Sequence, residues 1–415
     1  MIRVLVTGDS HFDTRNRWDE CLRVHAWIAD LVATERPDLV VHTGDLYERR
    51  SDPTERAAVA EWLQHLAAVC PVLLVRGNHD ALGDLPIFAR LKTTHPVLVE
   101  EGVGVHRIAT AAGELVVGAL AWPERRAMER VWAQFHGRAP TREEAPQAAH
   151  DGTLLALRGL GMESRIDLVA AHAMVSGSVT TVGQPAVGCD VELGLDAFRG
   201  LGCPVVLGHV HAPQAWVQPT GIAYGLDEVF DLSRGIWYAG SPRRTAFGET
   251  ETKSVLMLEF EPRSRVLASV QRIPTPCRAM WLVEGGPWSE ADAGSTDTSG
   301  AFNLAIREPE GFRAHNAEIR LRYTTPSDRR TAMRAEAESW RNAWIQQGAA
   351  LVQLEERVLP SGSARAPEVA AARTVTEKLR ALWSARAERH GERVDEARAE
   401  RLLRLAREIE TESAA

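Results

Sequence analysis

The sequence predicts a layered α/β fold over its first 245 residues, because short apolar runs of strand type alternate there with helical stretches. Three of these runs, Ile2–Val6, Leu39–Val41 and Pro71–Val75, each lead into a glycine-containing segment with Asp, Asn or His. The carboxyl ends of parallel strands meet at one edge of an open α/β sheet. We therefore expect these polar side chains to lie close together at that edge.

Length and composition limit the class of protein. A chain of 415 residues is too long for one ordinary domain and suggests two or three. Its 45% apolar and 25% charged residues are ordinary for a globular protein. The net charge of −8 gives no overall basic field, which counts against a stand-alone DNA binder.

The cysteines and the apolar runs predict a cytoplasmic protein. The five cysteines are scattered and form no CxxC pair, which suits reduced thiols. The first strand begins at Ile2, which leaves no room for a signal peptide, and no apolar run reaches the roughly 18 residues of a membrane span.

The elements of the first 245 residues follow from their periodicity. Residues Arg125–Leu160 are polar and helical in pattern, so we expect a surface insertion there. Further helices are predicted at Arg17–Glu35, Asp52–Val69, Leu85–Leu91 and Leu195–Leu201. Further strands are predicted at Val97–Ile108, Glu114–Ala121, Ile166–Ala171, Pro204–Leu207, Ala215–Tyr224 and Gly235–Tyr238.

The pattern changes after Pro242. Ser254–Phe260 and Val266–Ile273 read as a hairpin, and 317–323, 327–348 and 351–358 read as strand, helix and strand. Gly285–Gly300 and Leu359–Pro367 have the composition of linkers. The tail from Glu368 is helical, with a break at His390-Gly391.

Five short patches carry the chemistry: Asp9-x-His11, Gly44-Asp45, Gly77-Asn78-His79-Asp80, His172 and Gly208-His209-x-His211. Carboxylate and amide oxygens with imidazoles are ligands for Mn²⁺, Fe²⁺ or Zn²⁺ rather than Ca²⁺. The Asp-x-His and His-x-His spacings are expected to point two side chains to one side of an extended segment. Two cations about 3.5–4 Å apart can activate water and clamp a phosphate, and Asp45 is the natural residue to bridge them.

These patches, in this order, resemble the calcineurin-like metallophosphoesterase family over residues 1–245. The resemblance implies a two-sheet α/β/β/α sandwich and two divalent metal ions. It implies that one ion is held by Asp9, His11, Asp45 and His211. It implies that the other is held by Asp45, Asn78, His172 and His209. His79 then resembles the family's catalytic histidine, which contacts the scissile phosphate, and Asp80 is expected to orient its ring.

Within that family, Gly44–Tyr47, Ala170–Ala173 and Trp237–Pro242 are most similar to the SbcD group of DNA repair nuclease subunits. This resemblance implies a catalytic domain over 1–245 and a small α+β capping domain over 250–358 that faces DNA. It also implies a C-terminal helical hairpin over 368–413 that docks on an SMC-like ATPase of the SbcC type. A homodimer is expected, with no membrane partner.

We therefore expect a Mn²⁺-dependent phosphodiesterase that acts on DNA, as an exonuclease or endonuclease at double-strand breaks or hairpins. Two alternatives remain open. One is a small-substrate phosphodiesterase or phosphatase of the same superfamily, and the other is a non-catalytic scaffold that keeps the fold.

Two other groups of residues have less specific patterns. His42 lies inside a predicted strand, three residues before Asp45, and we expect it to pack in the core. Arg243 and Arg244 are candidates either for contact with the phosphate backbone of a substrate or for a solvated loop.

Overall fold

The apolar runs of the first 274 residues build two six-stranded sheets in the computed structural model. The structure describes residues 1–163, 165–181, 184, 191–221, 229–286, 304–359, 372, 374–390 and 395–412. The two predicted linkers lie largely outside these residues. The end of the strand predicted at Ala215–Tyr224 and Gly391 of the predicted helix break also lie outside them.

The strands and helices of the described residues are numbered in chain order. Strands β1 to β18 are Ile2–Thr7, Leu39–His42, Val72–Val75, Val97–Glu100, Val103–Thr110, Gly113–Leu120, Leu168–His172, Met174–Val175, Glu192–Leu193, Val205–Gly208, Gln214–Gly221, Val229–Tyr238, Ser254–Phe260, Leu267–Pro274, Met280–Gly286, Ala305–Arg307, Glu318–Pro326 and Leu351–Leu359. Helices α1 to α8 are Trp18–Glu35, Pro53–Ala67, Arg125–His136, Ala145–Gly161, Leu195–Arg199, Arg330–Gln346, Val375–His390 and Glu396–Glu412. Short 3₁₀ helices cover Leu85–Arg90 and Ser327–Arg329.

Both large sheets have a parallel centre. The first has the order β14-β13-β1-β2-β3-β4, and β1 to β4 run parallel. The second has the order β11-β12-β10-β7-β6-β5, and β6, β7, β10 and β12 run parallel. Strands β1, β2 and β3 each end just before one of the five motif patches, and β7 and β10 end within theirs, so these two sheets position the predicted site.

Three hydrophobic clusters lie between the four layers of helices and sheets. One cluster lies between the sheets and includes Val4, Val41 and Leu73 from the first sheet with Val117, Ala170 and Val206 from the second. A second cluster packs α1 and α2 on the outer face of the first sheet. A third packs Leu157 of α4 and Phe198 of α5 on the outer face of the second sheet. The α/β/β/α sandwich is therefore confirmed.

Two predicted elements differ from the structure. The single strand expected at Val97–Ile108 is two strands, because β4 joins the first sheet and β5 joins the second. The chain changes sheets at Glu100-Glu101-Gly102, three residues without an apolar side chain, and the prediction of a single strand passed over this turn signal. The insertion expected on the surface at Arg125–Leu160 forms α3 and α4, and its Trp132 and Leu157 are buried.

The predicted hairpin after residue 250 joins the first sheet. Strand β13 pairs antiparallel with β1 and with β14, so this hairpin extends the sandwich to Pro274. The expected strand, helix and strand correspond to β17, α6 and β18, and β15 and β16 complete a four-stranded sheet in the order β16-β15-β17-β18.

Contacts between Cα atoms divide the chain into two compact units. The first consists of Met1–Val283, Glu308–Leu321 and Arg341–Gln353, and the second of Glu284–Arg307, Arg322–Trp340 and Leu354–Ala415. In the second unit, Arg322 contacts Glu355 at 2.9 Å and α7 packs against α8. The division into three functional domains stays a prediction. Among the described residues, no helix combines the length and apolar character needed to cross a membrane.

Substitution of Leu63 tests the layer between α2 and the first sheet. Leu63 is fully buried in the outer cluster of that sheet. We expect Leu63→Ala to reduce the free energy of unfolding by about 2–5 kcal/mol, because it leaves a cavity. Denaturant titration followed by circular dichroism measures this loss. The matched control is Leu82→Ala, at a side chain that is 67% exposed. An equal change in both variants would contradict the packing.

Candidate metal centre

Two loops that follow β1 and β2 run side by side and carry the first candidate ligands. The Asp9 N–H donates to the Gly44 carbonyl at 2.8 Å, and the His11 N–H donates to the Asp45 carbonyl at 3.1 Å. The Phe12 N–H then donates to the Leu46 carbonyl at 2.9 Å. Pairing between the two strands thus continues past their ends and holds Asp9 and His11 beside Asp45.

Four candidate ligands have left-handed backbones. The φ angles are 50° at Asp9, 47° at His11, 53° at Asp45 and 101° at His209. The extended segments expected from the Asp-x-His and His-x-His spacings are therefore wrong at these positions. A non-glycine residue in this region costs of order 1–3 kcal/mol and persists only where its surroundings hold it, often at functional sites.

Asp9, His11 and His211 form one group of ligand atoms. The Nε2 atoms of His11 and His211 lie 2.9 Å apart, and one ligand atom from each of the three residues lies within 4.8 Å of the others. Asp9 accepts the His209 N–H on Oδ1 at 2.8 Å. Its other oxygen, Oδ2, is buried and has no hydrogen-bond partner among the described residues.

Asp45, Asn78, His172 and His209 form the second group. The Asn78 Oδ1 atom lies 2.9 Å from His172 Nε2 and 3.0 Å from His209 Nδ1. His172 Nδ1 donates to the Thr43 carbonyl at 2.8 Å, which leaves Nε2 as the nitrogen that faces the site. The structure thus brings together all seven residues that were expected to bind metal, in the two groups that the family resemblance implied.

Asp45 lies between the two groups. Its Oδ1 accepts the His79 N–H at 2.8 Å. Its Oδ2 is 3.4 Å from His172 Nε2 and 3.9 Å from His11 Nε2, so this one oxygen faces both groups. Burial alone would raise the pKa of this carboxyl, but the imidazoles of His172 and His11 outweigh burial and lower it. Asp45 is therefore an anion that can serve both groups.

The donor set fits two divalent cations. Carboxylate oxygens, an amide oxygen and imidazole nitrogens are the ligands that Mn²⁺, Fe²⁺ and Zn²⁺ accept. The facing nitrogens of His11 and His211 and the unpartnered Asp9 Oδ2 would all find a common partner in a cation. In the second group, a cation could be coordinated in the same way by Asp45, Asn78, His172 and His209.

His79 lies at the rim of the site. Its side chain is 37% exposed, whereas His11 and His172 are almost completely buried. The Glu48 carbonyl accepts a hydrogen bond from His79 Nδ1 at 2.6 Å. Asp80 was expected to orient this ring, but its carboxylate instead accepts the N–H groups of Tyr47 and Gly77 at 3.0 and 2.9 Å. Asp80 therefore shapes the loop that carries His79.

Glu48 is the residue at this site that the sequence analysis did not assign. Besides holding His79 with its carbonyl, it places its carboxylate 2.9 Å from His11 Nδ1. A carboxylate on the second nitrogen of a metal-binding histidine fixes the ring and increases its basicity. The available signal was an acidic residue three positions after Asp45.

The two arginines after Pro242 bind this chain's own backbone. Arg243 is fully buried and donates to the His11 carbonyl at 2.6 Å. Arg244 donates to the carbonyls of Glu249 and Glu251, each at 2.9 Å. The expected phosphate contact and the alternative of a solvated loop are both wrong for Arg243. His42 is buried, as expected.

Comparison with known proteins identifies the family. A model of the calcineurin-like phosphoesterase family matches residues 2–213, just over half of the 415 residues. The chain therefore belongs to the calcineurin-like phosphoesterases, and it is a metal-dependent phosphoester hydrolase. The matched segment contains all seven candidate ligands, from Asp9 to His211.

The other comparisons add little to the function. None of the curated proteins compared with the chain matches it. Among solved structures, the chain is similar to a crystal structure of a dimetal phosphatase from Danio rerio, at 12% identity and a TM-score of 0.35. The similarity covers 66% of this chain and 98% of the other. At that TM-score it supports no argument about this protein.

Replacement of Asp45 tests whether the two groups share a ligand. We expect Asp45→Asn to lose both bound ions together, because the change removes the one negative charge that faces both groups. Metal content per chain, measured by mass spectrometry after dialysis, reports the loss. Asp196→Asn is the control, since that side chain is 98% exposed and lies outside the site. Retention of one full equivalent of metal would show that Asp45 serves a single ion.

Proposed function

We propose that the chain is a Mn²⁺-dependent DNA nuclease subunit of the SbcD type, which hydrolyses phosphodiester bonds at double-strand ends or hairpins. The observation that carries the proposal is the pair of ligand groups joined by Asp45 Oδ2, with the exposed His79 ring beside them. Two bound divalent cations supply Lewis-acid activation of water and neutralise the charge on the phosphate.

His79 assists the departing oxygen. The Glu48 carbonyl can only accept a hydrogen bond, so the contact at 2.6 Å requires a hydrogen on His79 Nδ1. Nε2 is then the nitrogen that gains and gives a proton during the reaction. Asp45 Oδ1 holds the His79 N–H at 2.8 Å, so the position of this ring depends on the same carboxylate that the ligand groups share.

The choice of DNA as substrate rests on sequence features outside the ligand set. The segments Gly44–Tyr47, Ala170–Ala173 and Trp237–Pro242 support it. So does the part of the predicted 250–358 region that follows Pro274, the four-stranded sheet with α6, which we propose as a DNA-facing cap. The net charge of −8 argues that the chain does not hold DNA alone. We therefore propose a cytoplasmic homodimer that shares the DNA with an ATPase.

The C-terminal helices are the proposed docking site for the SMC-like ATPase. On α7, Val375 is 41% exposed and Leu382 is 38% exposed, and on α8 Leu405 is 46% exposed. Exposed apolar side chains favour recognition by a partner's helices, and of these two helices α8 is the amphipathic one. Co-purification of full-length chain with a candidate ATPase, with and without residues 368–413, tests this assignment.

A DNA cleavage assay tests the proposed reaction. Blunt, overhung and hairpin DNA, each with Mn²⁺ or Mg²⁺, are compared with a panel of aryl phosphodiesters, aryl phosphomonoesters and cyclic nucleotides. Cleavage of DNA ends or hairpins supports the nuclease. Turnover of the small substrates alone would favour the small-substrate phosphodiesterase or phosphatase. No turnover by the metal-loaded chain would favour the scaffold.

Removal of the His79 side chain separates metal binding from catalysis. We expect His79→Ala to keep both ions and to lose DNA cleavage by about 10²–10⁴-fold, the usual contribution of a general acid. Cleavage rate and metal content are measured on the same samples. His65→Ala, on the exposed side of α2, is the control. A loss of bound metal in His79→Ala would contradict this role.

A further inference from the structure

A series of buried hydrogen bonds runs beside the candidate metal centre, next to the hydrophobic cluster on the outer face of the first sheet. Ser10 Oγ lies 2.8 Å from His42 Nε2 and 2.9 Å from His25 Nε2. His25 Nδ1 lies 2.7 Å from the Cys21 carbonyl, and His42 Nδ1 lies 3.3 Å from the Gly44 amide nitrogen. Ser10, His25 and His42, which we call the buried triad, are each at most 2% exposed.

The Cys21 carbonyl and the Gly44 N–H, at the two ends of this series of hydrogen bonds, determine which nitrogen of each imidazole carries a hydrogen. A carbonyl only accepts, so His25 Nδ1 carries a hydrogen and its Nε2 accepts from the Ser10 hydroxyl. An amide N–H only donates, so His42 Nδ1 is bare and its Nε2 donates to Ser10 Oγ. Both imidazoles are neutral in this arrangement. Burial, the largest effect on each ring, lowers the pKa of His25 and of His42 to about 3, which agrees with neutral rings.

Aromatic and apolar side chains surround most of the triad, and the buried Arg243 donates to the Ser10 carbonyl at 3.4 Å. The Phe12 and His25 rings have centroids 4.2 Å apart, and Trp62 packs edge-on against both His25 and His42. Phe12, Cys21 and Trp62 belong to the hydrophobic cluster on the outer face of the first sheet. Within the described residues, the polar side-chain atoms of the triad bond to one another, to the Cys21 carbonyl and to the Gly44 N–H, so loss of one group leaves others unpaired.

The triad joins the two ligand loops to helix α1. Ser10 stands between Asp9 and His11, which both have left-handed backbones, and Gly44 directly precedes Asp45, which has one too. Cys21 and His25 lie on α1, which packs on the first sheet. The strained ligand backbones are thus tied, through Ser10 and His42, to each other and to a helix that carries no ligand.

We propose that Ser10, His25 and His42 are positioning residues of the metal centre, whose hydrogen bonds hold the Asp9–His11 loop and the Gly44–Asp45 loop in the arrangement that lets the ligands converge. The inference rests on the metal centre of the proposed function. It assigns an effect on metal affinity, in addition to any effect on stability, to three buried side chains that are not candidate ligands.

Mn²⁺ titration calorimetry on the full chain tests the proposal, with the thermal unfolding midpoint of each variant measured in parallel. We expect Ser10→Ala to weaken Mn²⁺ binding by roughly 10–100-fold, the range seen when the partners of metal ligands are removed. Ser10→Thr keeps the hydroxyl and restores binding towards the wild-type value. His25→Phe, which interrupts this series of hydrogen bonds on α1 with a ring of similar size, weakens binding in the same direction without touching either ligand loop.

Val59→Ala is the matched control, because Val59 is fully buried in the same hydrophobic cluster and outside the triad. It should lower the unfolding midpoint and leave Mn²⁺ affinity unchanged. Wild-type affinity in a folded Ser10→Ala, or an equal loss of affinity in Val59→Ala, overturns the proposal.

Two further outcomes are also decisive. If Ser10→Ala does not fold, His25→Phe decides, and unchanged Mn²⁺ affinity in that variant overturns the proposal. If the wild-type chain binds no Mn²⁺ while its fold is intact, the proposed metal centre is refuted, and the positioning role is refuted with it. Binding in the wild type with no change in the triad variants refutes the positioning role alone.

Discussion

The carboxylate of Asp45 is the interaction on which the rest of the site depends. One of its oxygens faces a histidine from each ligand group, and the other holds the backbone of His79. Metal binding at the candidate site and the placement of His79, for which we propose the catalytic role, would thus be coupled through one side chain. Its negative charge is stable in a buried position because imidazoles surround it, and bound cations would strengthen that stabilisation.

The sandwich provides the rigidity that this arrangement needs. Strands β1, β2, β3, β7 and β10 end at one region, and pairing between the loops continues beyond β1 and β2. Four ligand residues have backbone conformations that are unfavourable for any residue with a side chain, so the surrounding bonds must compensate. Arg243 and the buried triad supply some of these bonds, and Asp80 and Glu48 shape the loop that carries His79.

Much of the fold and most of the site could be predicted, since residue type and order carried the information. Alternation of strands and helices indicated the layers. The five patches indicated the seven candidate ligands, of which Asp9 is the first and His211 the last. The split at Gly102 was missed although Glu100-Glu101-Gly102 interrupts the apolar run, because a glycine inside a strand pattern can also mark a bulge within one strand. The left-handed backbones were hidden because Asp and His tolerate that region without requiring it. The contact of the Glu48 carbonyl with His79 could not be predicted because any residue can supply a backbone oxygen. The role proposed for Ser10 could not be predicted because it depends on His25 and His42, which are its neighbours only in the folded structure.

The most direct test of the account is a crystal structure of the Mn²⁺-loaded protein, with the ions located by anomalous scattering. The account predicts two peaks about 3.5–4 Å apart, both in contact with Asp45 Oδ2. One peak lies among Asp9, His11 and His211, and the other among Asn78, His172 and His209. A single peak, or two peaks that do not share Asp45, would contradict it.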